Sequence, residues 1–236
     1  MEPVIEVTDL HFSYPDGTVA LQGVNFTLHA GETVAVFGAN GSGKTTFLLH
    51  LVGLLQGRGQ IRVCGKGIDN STVSFARQKI GVLFQDSDDQ LFMPTVEEDV
   101  AFGPLNMGMR SEDVRRRVEH CLELVGMRQA ASRAPYHLSA GEKRRVALAG
   151  VLAVDPTIIV LDEPATFLDP PARTQLVAIL SSLPQAKLIV THDVDLARAL
   201  ASRAVFFENG RIAGAADVES LIEQFQWDSS LALRPR

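Results

Sequence analysis

Eight consecutive residues restrict this chain more than any other feature. Gly38-Ala39-Asn40-Gly41-Ser42-Gly43-Lys44-Thr45 fits the pattern G-x-x-x-x-G-K-[ST] and lies between the apolar run Thr33 to Phe37 and the helical run Thr46 to Leu55. Glycines at such a turn let successive backbone N–H groups face inward around a phosphate, and the helix N-terminus adds partial positive charge. Lys44 then reaches the β- and γ-phosphates, and Thr45 offers a hydroxyl to Mg²⁺. The plain alternative is a glycine-rich turn that precedes a helix. With glycine at about 7% of residues, the match arises by chance in roughly one chain in a hundred of this length, before the strand and helix are demanded.

Three further runs resemble Thr33 to Phe37: Ile80 to Phe84, Ile158 to Leu161 and Leu188 to Thr191. Short apolar runs followed by helical stretches suit strands buried on both faces of a parallel sheet. Ahead of them, Val4-Ile5-Glu6-Val7 and Val24-Asn25-Phe26-Thr27-Leu28 alternate apolar with polar across the turn signal Pro15-Asp16-Gly17, which predicts antiparallel pairing. Residues 86–150 read as a mostly helical insertion, in which Val114, Val118, Cys121, Leu122 and Val125 form one buried stripe. The expected fold is therefore α/β. It has a phosphate-loop ATPase core on a mostly parallel sheet, an N-terminal antiparallel β subdomain and a helical insertion subdomain. A single domain over 1–236 is expected, with its core in 1–85 and 151–213, the insertion at 86–150 and a short amphipathic tail at 214–236 that carries Trp227.

Ile158 to Leu161 runs into Asp162-Glu163-Pro164. Proline biases the residue before it toward an extended conformation, so Glu163 is expected to continue the strand and point opposite to Asp162 at the carboxyl edge of the sheet. Neighbouring acids repel unless a cation lies between them, and nucleotide-bound Mg²⁺ is such a cation. Asp162 suits the metal and Glu163 a base or orienter for water. A solvated acidic turn is the bland reading of the same residues.

Composition removes other classes. Lys plus Arg number 22 against 28 Asp plus Glu, a formal charge of −6, which disfavours nucleic-acid binding through phosphate contacts. The two cysteines, Cys64 and Cys121, lack ligand spacing and no secretory leader precedes them, so no disulfide framework or zinc site is expected, and a reducing compartment is. The longest apolar stretch, Val146 to Leu161, is broken at Asp155-Pro156-Thr157 and falls short of the ~20 residues that span a bilayer, so membrane work would need a partner. His11, His29, His50, His120 and His137 show no paired ligand spacing.

Leu138-Ser139-Ala140-Gly141-Glu142 precedes a long apolar helix beginning at Val146. Ser139 and Glu142 have capping-box spacing. Capping leaves Gly141 unexplained, whereas a helix N-terminus with a serine and bare backbone suits an anion. At these residues the chain resembles the ATP-binding subunits of ABC transporters. Tyr14 stands where that family stacks an aromatic on adenine, Gln85 where it has the Q-loop glutamine, Phe167-Leu168-Asp169 where it has the D-loop and His192 where it has the switch histidine. Each has an ordinary reading alone; Asp169 before Pro170, for instance, is a good helix N-cap. Their order over nearly the whole chain carries the likeness.

Phe84-Gln85-Asp86-Ser87-Asp88-Asp89-Gln90-Leu91-Phe92 and Thr95-Val96-Glu97-Glu98-Asp99-Val100-Ala101-Phe102-Gly103-Pro104 look like the energy-coupling-factor importers, particularly their cobalt and nickel branch. The resemblance implies ATP and Mg²⁺. The nucleotide is held by Tyr14, by Gly38 through Thr46, and by Ser139, Ala140, Gly141, Glu142 and Asp169. Thr45, Gln85 and Asp162 serve the metal. Lys44, Gln85, Glu163 and His192 serve hydrolysis. It further implies a head-to-tail dimer with an identical or paralogous ATPase subunit. A transmembrane energy-coupling protein and a substrate-binding membrane protein complete the assembly, with no nucleic acid, at the cytoplasmic face of a bacterial or archaeal membrane. Around Gln85 to Phe102, Leu91-Phe92-Met93 is the expected docking surface for the membrane partner.

The chain departs from the family twice. Ala140 replaces the usual glycine and adds a methyl near the partner's γ-phosphate, from which slower turnover or a looser closed dimer is expected. Many relatives continue past the equivalent of Trp227 into an extension that helps two subunits hold together, so a dimer less stable without nucleotide is expected here. The alternatives are a vitamin importer of the same type, a soluble ABC-type ATPase acting on nucleic acid or ribosomes, and an ATP sensor without useful hydrolysis.

Overall fold

In the computed structural model, which describes residues 2–227, two long strands open the chain, β1 (Pro3–Ser13) and β2 (Val19–His29). They pair antiparallel, and Asp9, at φ +50°, lies where the register slips between Val7 and Leu10. Next come β3 (Thr33–Phe37), α1 (Lys44–Leu51), β4 (Arg58–Val63), β5 (Lys66–Gly67), α2 (Val73–Lys79) and β6 (Ile80–Leu83). Three helices follow, α3 (Val96–Asn106), α4 (Ser111–Leu124) and α5 (Ala140–Ala153). The chain returns through β7 (Ile158–Asp162), α6 (Pro170–Ser182), β8 (Ala186–Val190), α7 (Val194–Leu200), β9 (Arg203–Glu208), β10 (Arg211–Ala216) and α8 (Val218–Phe225).

One sheet has four antiparallel strands in the order β2-β1-β4-β5, and the other has six in the order β10-β9-β3-β8-β7-β6. Within the second sheet β9 through β6 run parallel, and β10 closes one edge antiparallel. The mostly apolar runs have the two-sided burial that their composition requires. Val34, Val36, Ile158 and Val160 face the antiparallel sheet and Phe47 of α1, whereas Ile159, Leu161 and Ile189 face the core under α3, α5 and α6. Ala35 and Phe37 face Phe206, Leu221 and Ile222, so α8 covers that end of the sheet. A period of two places alternate side chains of one strand in different cores.

Cys121 lies on the buried stripe of α4 with Val114, Val118 and Leu122, and burial pushes its thiol up to about 11. Several boundaries differ from the sequence reading. The long helix begins at Ala140 rather than Val146, because Ser139 caps it there. Residues after Gly214 finish β10 and form α8 instead of one amphipathic piece, and the stretch 228–236 of the expected tail lies outside the described residues. No helix among the described residues is long and apolar enough to cross a membrane.

Candidate active site

The loop from Gly38 to Gly43 leaves the end of β3 and turns directly into α1. Gly43 is the N-cap at φ +108°, with no side chain accepting from the first turn and no acid within it. A Cβ there would lie 2.6 Å from the Ala20 carbonyl oxygen, so both conformation and space require glycine. The first amides of α1 are consequently left without a side-chain acceptor. Ser42 Oγ is buried beside them and has no hydrogen-bond partner among the described residues. Lys44 is 7% exposed and donates from Nζ to the carbonyls of Gly38 (2.7 Å) and Ala39 (2.9 Å). Burial lowers the pKa of its ammonium, while Glu163 and Asp162 oppose the shift. Buried donors around a glycine turn, with carboxylates behind them, form an anion cradle beside a cation site.

β7 delivers the carboxylates to that cradle, though not in the expected way. Glu163 adopts φ +46° rather than an extended conformation. Its N–H donates to the Val190 carbonyl (2.9 Å) and its own carbonyl accepts from Thr166 N–H (3.2 Å), so the chain must turn before Pro164. Left-handed backbone at a non-glycine residue persists only where the surroundings impose it. The side chain therefore does not point away from Asp162; both acids line one cleft of about 700 Å³. Glu163 Oε2 accepts from His192 N–H (3.3 Å) and from the hydroxyls of Thr191 and Thr166 (both 3.4 Å). His192 Nε2 lies 3.3 Å from Glu163 Oε1 and 3.2 Å from Asn40 Oδ1. Burial raises the Asp162 carboxyl, Glu163 adds to the shift, and Lys44, Arg144 and His192 oppose it.

Tyr14, Thr45, Thr46 and Gln85 complete the same cleft. The Tyr14 hydroxyl shares a 2.9 Å hydrogen bond with Thr46 Oγ1, and its ring meets Phe12 edge-on at 5.0 Å. Among the described residues no group of three or more His, Cys, Asp or Glu side chains could hold a metal. Mg²⁺ retains waters and takes one or two protein oxygens plus phosphates. Thr45 and Asp162, which line this cleft together with Gln85, could supply those oxygens.

Gln85 also borders a second cavity of about 830 Å³, together with Ala140, Lys143 and Phe167. Arg144, 4% exposed on α5, donates to the carbonyls of Phe84 (2.6 Å) and Gln85 (2.5 Å) and so ties the loop at Gln85 to that helix. The sequence does not single out Arg144 or Thr191 as site residues; its one sign is an arginine on an otherwise apolar helix face. At the N-terminus of α5, Ser139 Oγ accepts from Glu142 N–H (3.3 Å) and Glu142 Oε2 accepts from Ser139 N–H (2.8 Å). Gly141 has a packing reason as well: a Cβ would lie 2.8 Å from Ala172 Cβ, where α5 meets α6. Asp169 caps α6 by accepting from Ala172 N–H (2.9 Å). Ser139, Gly141, Glu142 and Asp169 do not line the phosphate cleft of their own chain.

The profile of the ABC transporter family matches residues 21–166. A protein of Gloeobacter violaceus, provisionally named an ABC transporter ATP-binding protein, is 51% identical over 225 residues, covering 94% of this chain and 92% of its own length. The energy-coupling factor transporter ATP-binding protein EcfA of Methanothermobacter thermautotrophicus is 47% identical over 215 residues, 89% of this chain and 69% of that protein. Among solved structures, cbiO1 from Clostridium perfringens, described as part of the ABC transporter complex cbiONQ, superposes with a TM-score of 0.87 at 32% identity, covering 99% of this chain and 96% of that one. The ATP-binding cassette MJ0796, solved as a dimer in a post-hydrolysis state with ADP and Pi, superposes at 0.80 with 28% identity, covering 91% and 98%.

Proposed function

This chain belongs to the ABC transporter family as an ATP-hydrolysing subunit, and from that premise we propose that it powers an energy-coupling-factor importer whose substrate is a transition-metal ion, cobalt or nickel. One observation carries the reading: an uncapped helix N-terminus, a buried lysine, two carboxylates and a histidine open on one cleft. The acidic segment from Phe84 to Pro104 and the likeness to EcfA and cbiO1 support the importer type. The proposed division has a nucleotide-binding core in 1–85 and 151–213, a helical unit at 86–150 and a tail from 214.

Hydrolysis of ATP needs positioning and charge stabilisation rather than a covalent intermediate. The loop amides from Gly38 to Thr46 and Lys44 hold the phosphates, and Tyr14 lies against the base. Thr45, Gln85 and Asp162 hold Mg²⁺, which when bound neutralises phosphate charge. Glu163, fixed by Thr191, Thr166 and the His192 N–H, orients the attacking water and accepts its proton. His192 Nε2 turns from Asn40 and Glu163 toward the γ-phosphate. Ser139 to Glu142 and Asp169, which do not line the cleft of their own chain, serve the nucleotide of a second, identical or paralogous subunit arranged head to tail. Glu163→Gln is expected to lower kcat by about 10²-fold while ATP binding persists.

The helical unit docks on a transmembrane energy-coupling protein, which places the subunit at the cytoplasmic membrane face. Phe92 is 60% exposed and meets the 42%-exposed Phe102 edge-on at 4.9 Å, whereas Leu91 packs against the core. Phe92→Asp therefore tests docking without disturbing the fold; transport should fail while basal hydrolysis continues. The broader test is affinity purification from native membranes in mild detergent with mass spectrometry. A transmembrane energy-coupling protein and a substrate-binding membrane protein are expected, the latter naming metal or vitamin. Ribosomal or DNA-associated partners with no membrane subunit would overturn the importer reading.

A further inference from the structure

Beyond the cleft itself, one contact to His192 comes from a distant part of the chain. The side chain of His192 is 43% exposed, and its polar contacts, to Asn40 and Glu163, are both made through Nε2. The flat face of the ring has another neighbour. Trp227 lies against it with the two rings 25° from parallel and their centroids 5.7 Å apart. We infer that Trp227 is a positioning residue for ATP hydrolysis, a wall that fixes the plane in which the His192 imidazole turns Nε2 from Asn40 and Glu163 toward the phosphate site.

The wall is rooted in the core. Leu221 and Ile222 bury α8 against β3 and β9, and Phe225 stacks on Phe206 with centroids 4.0 Å apart and planes 5° apart. Gln226 then turns the chain at φ +49°, and Trp227 N–H donates to the Ile222 carbonyl (3.0 Å). The indole is therefore pressed edge-on to Phe206 at 5.0 Å and lies near Phe37 at 6.4 Å, with its remaining face available to His192. An imidazole at the end of a strand rotates freely unless packing limits it, and a flat aromatic neighbour allows rotation in its own plane while opposing tilt. Misplacing a phosphate-contacting group costs turnover far more than ground-state affinity.

The inference rests on the role proposed for His192, and it predicts a division of kinetic effects. In the full chain, Trp227→Ala is expected to lower kcat for ATP about tenfold with KM within about twofold of wild type, and Trp227→Phe to recover most of the loss. A wall with only a structural role would move the melting temperature and KM together. Trp227 is the chain's single tryptophan, so intrinsic emission reads the contact directly and without turnover. His192→Ala should change that emission in the absence of nucleotide. Trp227→Ala with wild-type kcat, or emission identical in wild type and His192→Ala, would overturn the inference while leaving the importer reading intact. A wild type that binds ATP without hydrolysing it would overturn the role of His192 and this inference with it.

Discussion

Two helix N-termini in this protein, those of α1 and α5, are built to opposite specifications. At α1 the cap is a left-handed glycine, no side chain accepts from the first turn and no acid complements the dipole. At α5 Ser139 and Glu142 form both halves of a capping box, and Glu142 pairs with Arg133 at 3.3 Å. The Ser139 N–H is the main cause holding the Glu142 carboxyl below its ordinary pKa. The difference teaches what each end is for. An uncapped terminus leaves amides and dipole unspent until an anion arrives, at a cost in stability, whereas a boxed terminus is complete within its own chain. One end is made to receive a ligand of its own; the other is stable beforehand and can be presented to a neighbour.

Lys44→Ala attacks the uncapped end most directly. Hydrolysis is expected to fall by about 10³-fold, with nucleotide binding by calorimetry weakened in parallel. The melting temperature of the ligand-free protein should fall little, because the lysine is itself buried at a desolvation cost. Equal losses of stability and activity would erase the distinction between the two ends.

Ser139 sharpens it. Ser139→Ala removes an N-cap and should cost about 1 kcal/mol, a drop of roughly 2–4 °C in melting temperature for a chain of this size. Ser139→Asp keeps a capping oxygen and should restore the melting temperature, yet it places an anion where the partner's phosphate is proposed to lie. Hydrolysis that stays low in Ser139→Asp despite recovered stability separates presentation to a partner from capping. Recovery of both would make Ser139 a cap and nothing more.

Asp162 gives a contrast of opposite sign. Its carboxyl is raised by burial and by Glu163, so between the ordinary carboxylate pKa and its raised native value the folded state binds the additional proton. Stability then declines as pH rises through that window, and the full penalty is present above it. Asp162→Asn should raise the ligand-free melting temperature at neutral pH by about 2–4 °C while abolishing hydrolysis, and the gain should disappear below the ordinary carboxylate range. Calorimetric melts across acid and neutral pH measure this. The smallest effect is expected at Ala140, at the boxed end: Ala140→Gly should lower stability by less than about 1 kcal/mol. It should raise kcat about two- to threefold, a barrier change of roughly 0.5 kcal/mol, as steady-state kinetics would show.

Much of the fold was legible because local rules and tertiary demands agree. Mostly apolar runs became the central strands, the stripe through Val114, Val118 and Cys121 faced inward, and the phosphate loop sat between strand and helix. Strand β4, with the sequence Arg58-Gly59-Gln60-Ile61-Arg62-Val63, was not legible, since most of its side chains are exposed and its pairing with β1 and β5 makes it a strand. Glu163 misled for a different reason. The preference imposed by Pro164 is local, and the bond from Glu163 N–H to the Val190 carbonyl outweighs it.

By itself, the sequence determined the chemistry at hand: a glycine cradle with Lys44 and Thr45, an acidic strand end, a capping box and the order in which they occur. Those follow from backbone freedom, charge and spacing, which act over a few residues. Only the tertiary structure decided that Asp162 and Glu163 share a cleft, that Arg144 holds the carbonyls of Phe84 and Gln85, and that Trp227 lies against His192. Such contacts join residues far apart in the chain, and their geometry is set by how sheets and helices pack, a property no local pattern contains.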